Sequence, residues 1–162
     1  LWSPLKKDGW DIHLAEDKKI RQSLTVVFSG AIFFMLMDVI IDPVAHMGDR
    51  WFLGKIYFYE EEGEYFNIPL TNFGGWFLVG TAILYGFTRI DRWLTGRLPE
   101  TRREVPAQAL LGPGLYFGVL LFNLAVTFYI GEWALGICGT AITLALLYLI
   151  YSKVRDPGKF TI

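Results

Sequence analysis

Long uncharged apolar runs constrain this chain more than any other feature. A helix needs about 20 mostly apolar residues to cross the hydrocarbon core of a bilayer. Ser23 to Ala45 carries no charge except Asp38 and Asp42, and Asn72 to Thr88 carries none. Val105 to Gly131 and Trp133 to Ser152 are also uncharged, and only Glu132 separates them. These runs predict an all-α polytopic membrane protein with four transmembrane helices at about 23–45, 72–94, 107–131 and 132–153. The last two form a tight antiparallel hairpin. A soluble fold lacks the polar chain to cover four such helices. The first run starts behind a mixed-charge segment and has no small-residue cleavage motif, so it is not read as a signal peptide.

Bulk composition is less telling. Over 162 residues, 53% are hydrophobic, 19% are charged and the formal net charge is -1. This hydrophobicity excludes a disordered chain. The charge balance gives no support for nucleic-acid binding. Cys138 is the single cysteine, which excludes an internal disulfide framework and a multi-thiolate metal site.

Basic residues set the orientation. Thirteen of the fifteen fall in the N-terminal segment, the loop after the second span, and the C-terminal tail. Only Arg50 and Lys55 lie between the first two spans. Both termini are therefore expected in the cytoplasm, with loop 46–71 on the other side of an inner (cytoplasmic) membrane. Trp51, Tyr57, Tyr59, Tyr65, Trp93, Trp133, Tyr148 and Tyr151 fall near span ends, where amphipathic rings collect. Gly114 with Gly118, and Gly136 with Gly139, suggest close helix packing within the chain.

The segment from Asp38 to Trp76 carries the chemistry. Asp38 and Asp42 are four residues apart and share one helix face. An ionisable group inside a span is a functional hypothesis by default. Two partly desolvated carboxyls so close do not both ionise easily, so one is expected to hold a proton and suit general-acid work. The alternative pairs Asp42 with Arg50 and lets Asp38 bond a neighbouring helix. Pro43 is expected to end the first helix, leaving Asp42 at the turn. His46 is read as an interfacial side chain, with a base or ligand role as the alternative. Lys55 to Tyr65 is read as a short amphipathic hairpin or interfacial helix, or as a solvated loop on headgroups. Thr71 or Asn72 is the expected N-cap of the second span. Phe73 and Trp76, about one turn apart, belong to an aromatic cluster that suits a long apolar substrate with one reactive end, or simply packs.

No dinucleotide fingerprint, P-loop, zinc-protease or serine-hydrolase motif is present. Histidines are too few for a di-iron site, and no cofactor or metal is expected.

DVIIDPVAHMGDRWF followed by YFNIPLTNFGGWFLVG resembles the carotenoid biosynthesis membrane protein family. That family includes CruF-type carotenoid 1′,2′-hydratases and bisanhydrobacterioruberin hydratase. The resemblance rests on Asp42, Pro43, Val44 and Ala45, then on Tyr65, Phe66, Ile68, Pro69, Thr71, Asn72, Phe73, Gly75 and Trp76. It is good over about 24–90. Asn67 stands where the family usually has glycine. Family members are longer, so the chain is expected to correspond to their C-terminal half.

The resemblance implies hydration of a terminal C=C bond in an acyclic carotenoid, without a cofactor. On it, Asp42 is the acid or its partner, Asp38 the carboxyl that keeps it protonated, and Asn72 a water or backbone anchor. Trp51 and Trp76 are cation-stabilising faces, and Tyr57, Tyr59, Tyr65 and Phe73 line the substrate site. Partners are membrane lipid and the carotenoid, as substrate or bound pigment. The rival reading is a non-catalytic accessory subunit of a larger, photosynthetic membrane complex, holding carotenoid or filling a position between other subunits.

Overall fold

The computed structural model describes residues 1–3, 5–8, 11–14, 18–54, 57–60, 62–95, 97, 108–156 and 160. Lys55, Glu61, Pro99, Arg102, Arg103, Pro106 and Lys159 lie outside the described residues.

The fold is helical apart from a short N-terminal hairpin. Strands β1 (Leu5–Asp8) and β2 (Asp11–Leu14) pair antiparallel, with Leu5 opposite Leu14 and Asp8 opposite Asp11. A single turn, α1 (Lys18–Arg21), precedes four long helices: α2 (Leu24–Ala45), α3 (Leu70–Leu94), α4 (Gln108–Tyr129) and α5 (Trp133–Arg155). Each long helix is apolar enough, and long enough, to cross a membrane. At about 1.5 Å per residue, α2 spans roughly 33 Å, the thickness of a hydrocarbon core. The boundaries agree with the sequence expectation to within two residues at most ends.

Exposure separates this bundle from a soluble one. Leu78, Phe87 and Leu115 are 68%, 66% and 74% exposed. Such side chains on every long helix need lipid, not water, around them. The chain is an integral membrane protein.

Helix α2 is the hub, lying along α3 and touching α4 and α5. It starts at Ser23, whose hydroxyl accepts from the Val26 N–H at 3.3 Å. Ile40, Leu120, Leu124 and Leu146 form one core cluster where α2, α4 and α5 meet. Small residues bring the backbones together, because lipid supplies no hydrophobic drive between helices. A methyl group added at Gly80 would lie 3.4 Å from the Ala31 Cα, so α3 rides close on α2. One added at Gly139 would meet Leu124 at 2.7 Å and Ile40 at 3.5 Å. Gly136 meets the Phe128 ring in the same way. Gly136 and Gly139 therefore pack as expected. Gly114 and Gly118 do not: a methyl group there meets nothing within 4 Å among the described residues. Their side of α4 faces outward.

Polar contacts close both ends of the α2–α3 pair. At one end Gln22 donates to Asp91 at 2.8 Å, and Arg21 pairs with Asp91 at 3.1 Å. The other end carries Asp38, Asp42 and Asn72.

Candidate carboxylate site at the α2–α3 mouth

Asp38 and Asp42 lie on the α2 face that meets the first turn of α3. Asp42 is buried, with 7% of its surface exposed. The two carboxyl groups are close enough to share one donor. The Asn72 side-chain amide donates to both, to Asp42 Oδ2 at 2.5 Å and to Asp38 Oδ2 at 3.1 Å. The Tyr57 hydroxyl donates to Asp42 Oδ1. Each Asp42 oxygen thus has a donor, as a buried carboxyl requires.

Asn72 is free for this because it is not the N-cap. Helix α3 begins at Leu70, with Pro69 as the cap residue in an extended conformation. The orphan Leu70 N–H is taken by the Glu64 carboxylate at 3.1 Å. Backbone hydrogen bonds hold that carboxyl below its ordinary range. Glu64 replaces the expected Thr71 or Asn72 cap from outside the helix, and Asn72 turns across to α2.

Two further expectations are corrected. Pro43 does not end α2; it sits in the last turn, which continues to Ala45. Proline removes one N–H from the ladder, but the His46 N–H still reaches the Asp42 carbonyl at 2.8 Å. Asp42 therefore sits inside the helix, not at a turn. Nor does Arg50 pair with Asp42. Its guanidinium bonds Glu132 at 2.7 Å and the Ile130 carbonyl, tying the loop to the α4–α5 turn.

The loop is neither an amphipathic hairpin nor a helix over its described residues. A 3-10 turn, Gly48–Arg50, follows α2, and irregular chain brings Tyr57 back to Asp42 and both Tyr57 and Tyr59 to the His46 ring. Burial, then donation to Asp42, holds the Tyr57 phenol well above its usual range. Burial and the charge of Asp42 raise Tyr59 as well. The His46 ring meets both tyrosines, with centroids 6.2 Å from Tyr57 and 5.6 Å from Tyr59, and the tyrosines meet each other at 5.7 Å.

A two-residue turn then aims the chain into α3. Tyr65 and Ile68 exchange both backbone hydrogen bonds, at 3.1 and 2.9 Å. Between them Phe66 and Asn67 have φ of 46° and 67°. A pair of positive φ angles suits the tightest hairpin turns, and asparagine tolerates the left-handed region better than other side-chain-bearing residues. That is why Asn67 can stand in the usual glycine position. At Gly63 a side chain would collide with the Ile68–Pro69 backbone.

The aromatic residues divide between two places. Trp76 meets Phe34 edge to face at 5.6 Å, one turn beyond Asn72 on α3 and one turn before Asp38 on α2. This pair floors the carboxylate site on the membrane side. Phe73 instead turns to Tyr65 at 5.7 Å, so Phe73 and Trp76 do not share one cluster. Trp51 packs with Val44, Ala45 and Leu135 in an apolar cluster, away from Trp76. Sequence reasoning missed Glu64 as the cap and Tyr57 as the donor to Asp42. A separate cavity of about 320 Å³ lies between the other end of α2 and α4, lined mainly by apolar side chains such as Phe33, Pro113 and Phe117.

The family model described as carotenoid biosynthesis protein matches residues 9–148. The chain belongs to the carotenoid biosynthesis protein family. The match extends beyond the 24–90 segment of motif resemblance and takes in β2, α4 and most of α5. Every carboxylate-site residue falls within it. No curated protein and no solved structure matches the chain. Membership gives this membrane protein a role in carotenoid biosynthesis.

Proposed function

We propose that the chain adds water to a terminal C=C bond of an acyclic carotenoid by acid catalysis, with no cofactor. The observation that carries the reading is the Asn72 amide bonded to both Asp38 and Asp42. It holds two carboxyls side by side, and such a pair shares one proton. The pair delivers that proton to the trisubstituted alkene, with Asp42 as the acid or as the partner of Asp38. A tertiary carbocation forms, and water attacks it to give a tertiary alcohol. The proton released by water restores the pair. The two carboxyls keep the proton between them, and the Trp76 face lies one turn away, where it can stabilise the cation.

The carotenoid approaches from the lipid, its reactive end group among Trp76, Tyr57 and Tyr59. Tyr65 and Phe73 support the loop behind it. Trp51, packed in an apolar cluster, is assigned to holding the mouth rather than to the cation. The positive-inside pattern supports a cytoplasmic-membrane location with both termini in the cytoplasm, so the site opens on the far face. A subunit kept only for packing has little use for a carboxyl pair with one member buried, which is costly in a span.

Membranes carrying the full chain and an acyclic carotenoid test the reading. Wild type forms the hydroxylated end group and Asp42→Asn does not. Undiminished hydroxylation by Asp42→Asn removes the assignment.

A further inference from the structure

One buried polar atom near the carboxyl pair has no partner. His46 Nδ1 is shielded from solvent and makes no hydrogen bond among the described residues. A buried ring nitrogen left this way is costly unless something fills the position. His46 follows Asp42 by one helical turn, and its main-chain N–H is tied to the Asp42 carbonyl. Its ring packs beside Tyr57, which donates to Asp42, and Tyr59, the three rings contacting one another. The Asp42 oxygens are already engaged by Tyr57 and Asn72. Among the described residues His46 Nδ1 is a buried ring nitrogen still open to a water molecule at this mouth, alongside the less buried Asp38 carboxyl.

We propose that His46 holds the water consumed in the hydration and accepts its proton. The inference rests on the hydratase reading and adds the base to it. The proton of the carboxyl pair first forms a C–H bond, leaving the tertiary cation and a carboxylate. Water, with one O–H directed at His46 Nδ1, then forms the C–O bond. Its proton passes to Nδ1, giving a protonated imidazole. That proton returns to the carboxyl pair, so the balance is one water added and nothing else consumed. The neighbours fit the task. Tyr57 and Tyr59 have phenols held neutral by their surroundings, so neither competes as a base. Their rings pack against the imidazole.

The two half-reactions can be read separately in deuterium oxide. When the cation forms but is not captured, it returns a proton or deuteron to the carboxylate, and recovered carotenoid gains deuterium at the end group. Full-length wild type, His46→Phe, His46→Gln and Asp42→Asn are compared in membranes, with protein amount measured for each. The expected result is a fall of about 100-fold or more in alcohol formation for both His46 variants, while deuterium still enters recovered carotenoid. Asp42→Asn loses both signals. Two results overturn the inference: His46 variants that form alcohol at the wild-type rate, or His46 variants that lose deuterium entry together with alcohol. Wild type lacking both signals overturns the hydratase reading itself, and this inference with it.

Discussion

Asp42 and Asn72 are 30 residues apart in sequence, yet the Asn72 amide donates to Asp42 Oδ2 at 2.5 Å while its second N–H reaches Asp38. One neutral side chain thus fixes the spacing of two carboxyls at the end of a membrane helix. Its removal leaves them without a common donor and free to separate. Asn72→Ala is expected to lower the hydration rate by about 10²-fold, as loss of aligned acid catalysis does. Initial rates on equal amounts of membrane-inserted protein check this. A rate within about twofold of wild type would remove Asn72 from the site, because aligned catalysis is worth far more than that.

Tyr57 presents a second handle. Tyr57→Phe keeps the ring and deletes the donor to Asp42, which should cost about 1–3 kcal/mol of stability. The phenol also gives a pH signature. Its folded value is raised above the ordinary 10.0, so its contribution is intact below pH 10 and is lost as pH rises beyond that. Thermal unfolding in detergent should show wild type losing stability above pH 10 more steeply than Tyr57→Phe. Parallel alkaline limbs would show that the Tyr57 proton is not held by the fold.

The turn before α3 makes a backbone prediction. Asn67 has φ of 67°. Asn67→Gly should leave melting unchanged or slightly raised, since glycine enters this region without strain. Asn67→Val should lower stability by about 1–2 kcal/mol. Equal melting temperatures for the two variants would contradict the turn geometry.

Asn123 tests the bundle core. It is buried on α4, its amide donates to the Val119 carbonyl at 3.0 Å, and its Oδ1 has no partner among the described residues. Replacing an unsatisfied polar group by an apolar one of similar size is close to neutral or stabilising. Asn123→Leu should therefore melt at or above the wild-type temperature in detergent. A loss above about 1 kcal/mol would mean that the oxygen is satisfied in the membrane.

The four spans were legible because uncharged runs of this length have few other uses, and their ends fell where charges resume. The Asp38–Asp42 pair was legible from helical spacing alone. The partners were not. Asn72 looked like a cap because polar residues at a helix start usually are caps, and nothing local announces that Glu64 takes the Leu70 N–H instead. Tyr57 reaches Asp42 across a loop whose path depends on tertiary contacts, including Arg50 with Glu132. Pro43 argued for an early helix end, but in a last turn the missing N–H disturbs little. The N-terminal hairpin has a local signal in Gly9-Trp10, a glycine-first dipeptide between the runs that form β1 and β2. Asn67 was a departure from the family pattern by type, and only its backbone angle shows why the exchange is permitted.

The central claim is that this carboxyl pair adds water to a carbon–carbon double bond. The most direct measurement supplies an acyclic carotenoid to membranes bearing the full chain, under nitrogen in water enriched with heavy oxygen, with Asp38→Asn and Asp42→Asn alongside. The account predicts a hydroxylated end group carrying the heavy oxygen from wild type, and its loss in both variants. A wild-type alcohol without the label, no alcohol from wild type, or labelled alcohol from both variants at the wild-type rate would contradict it.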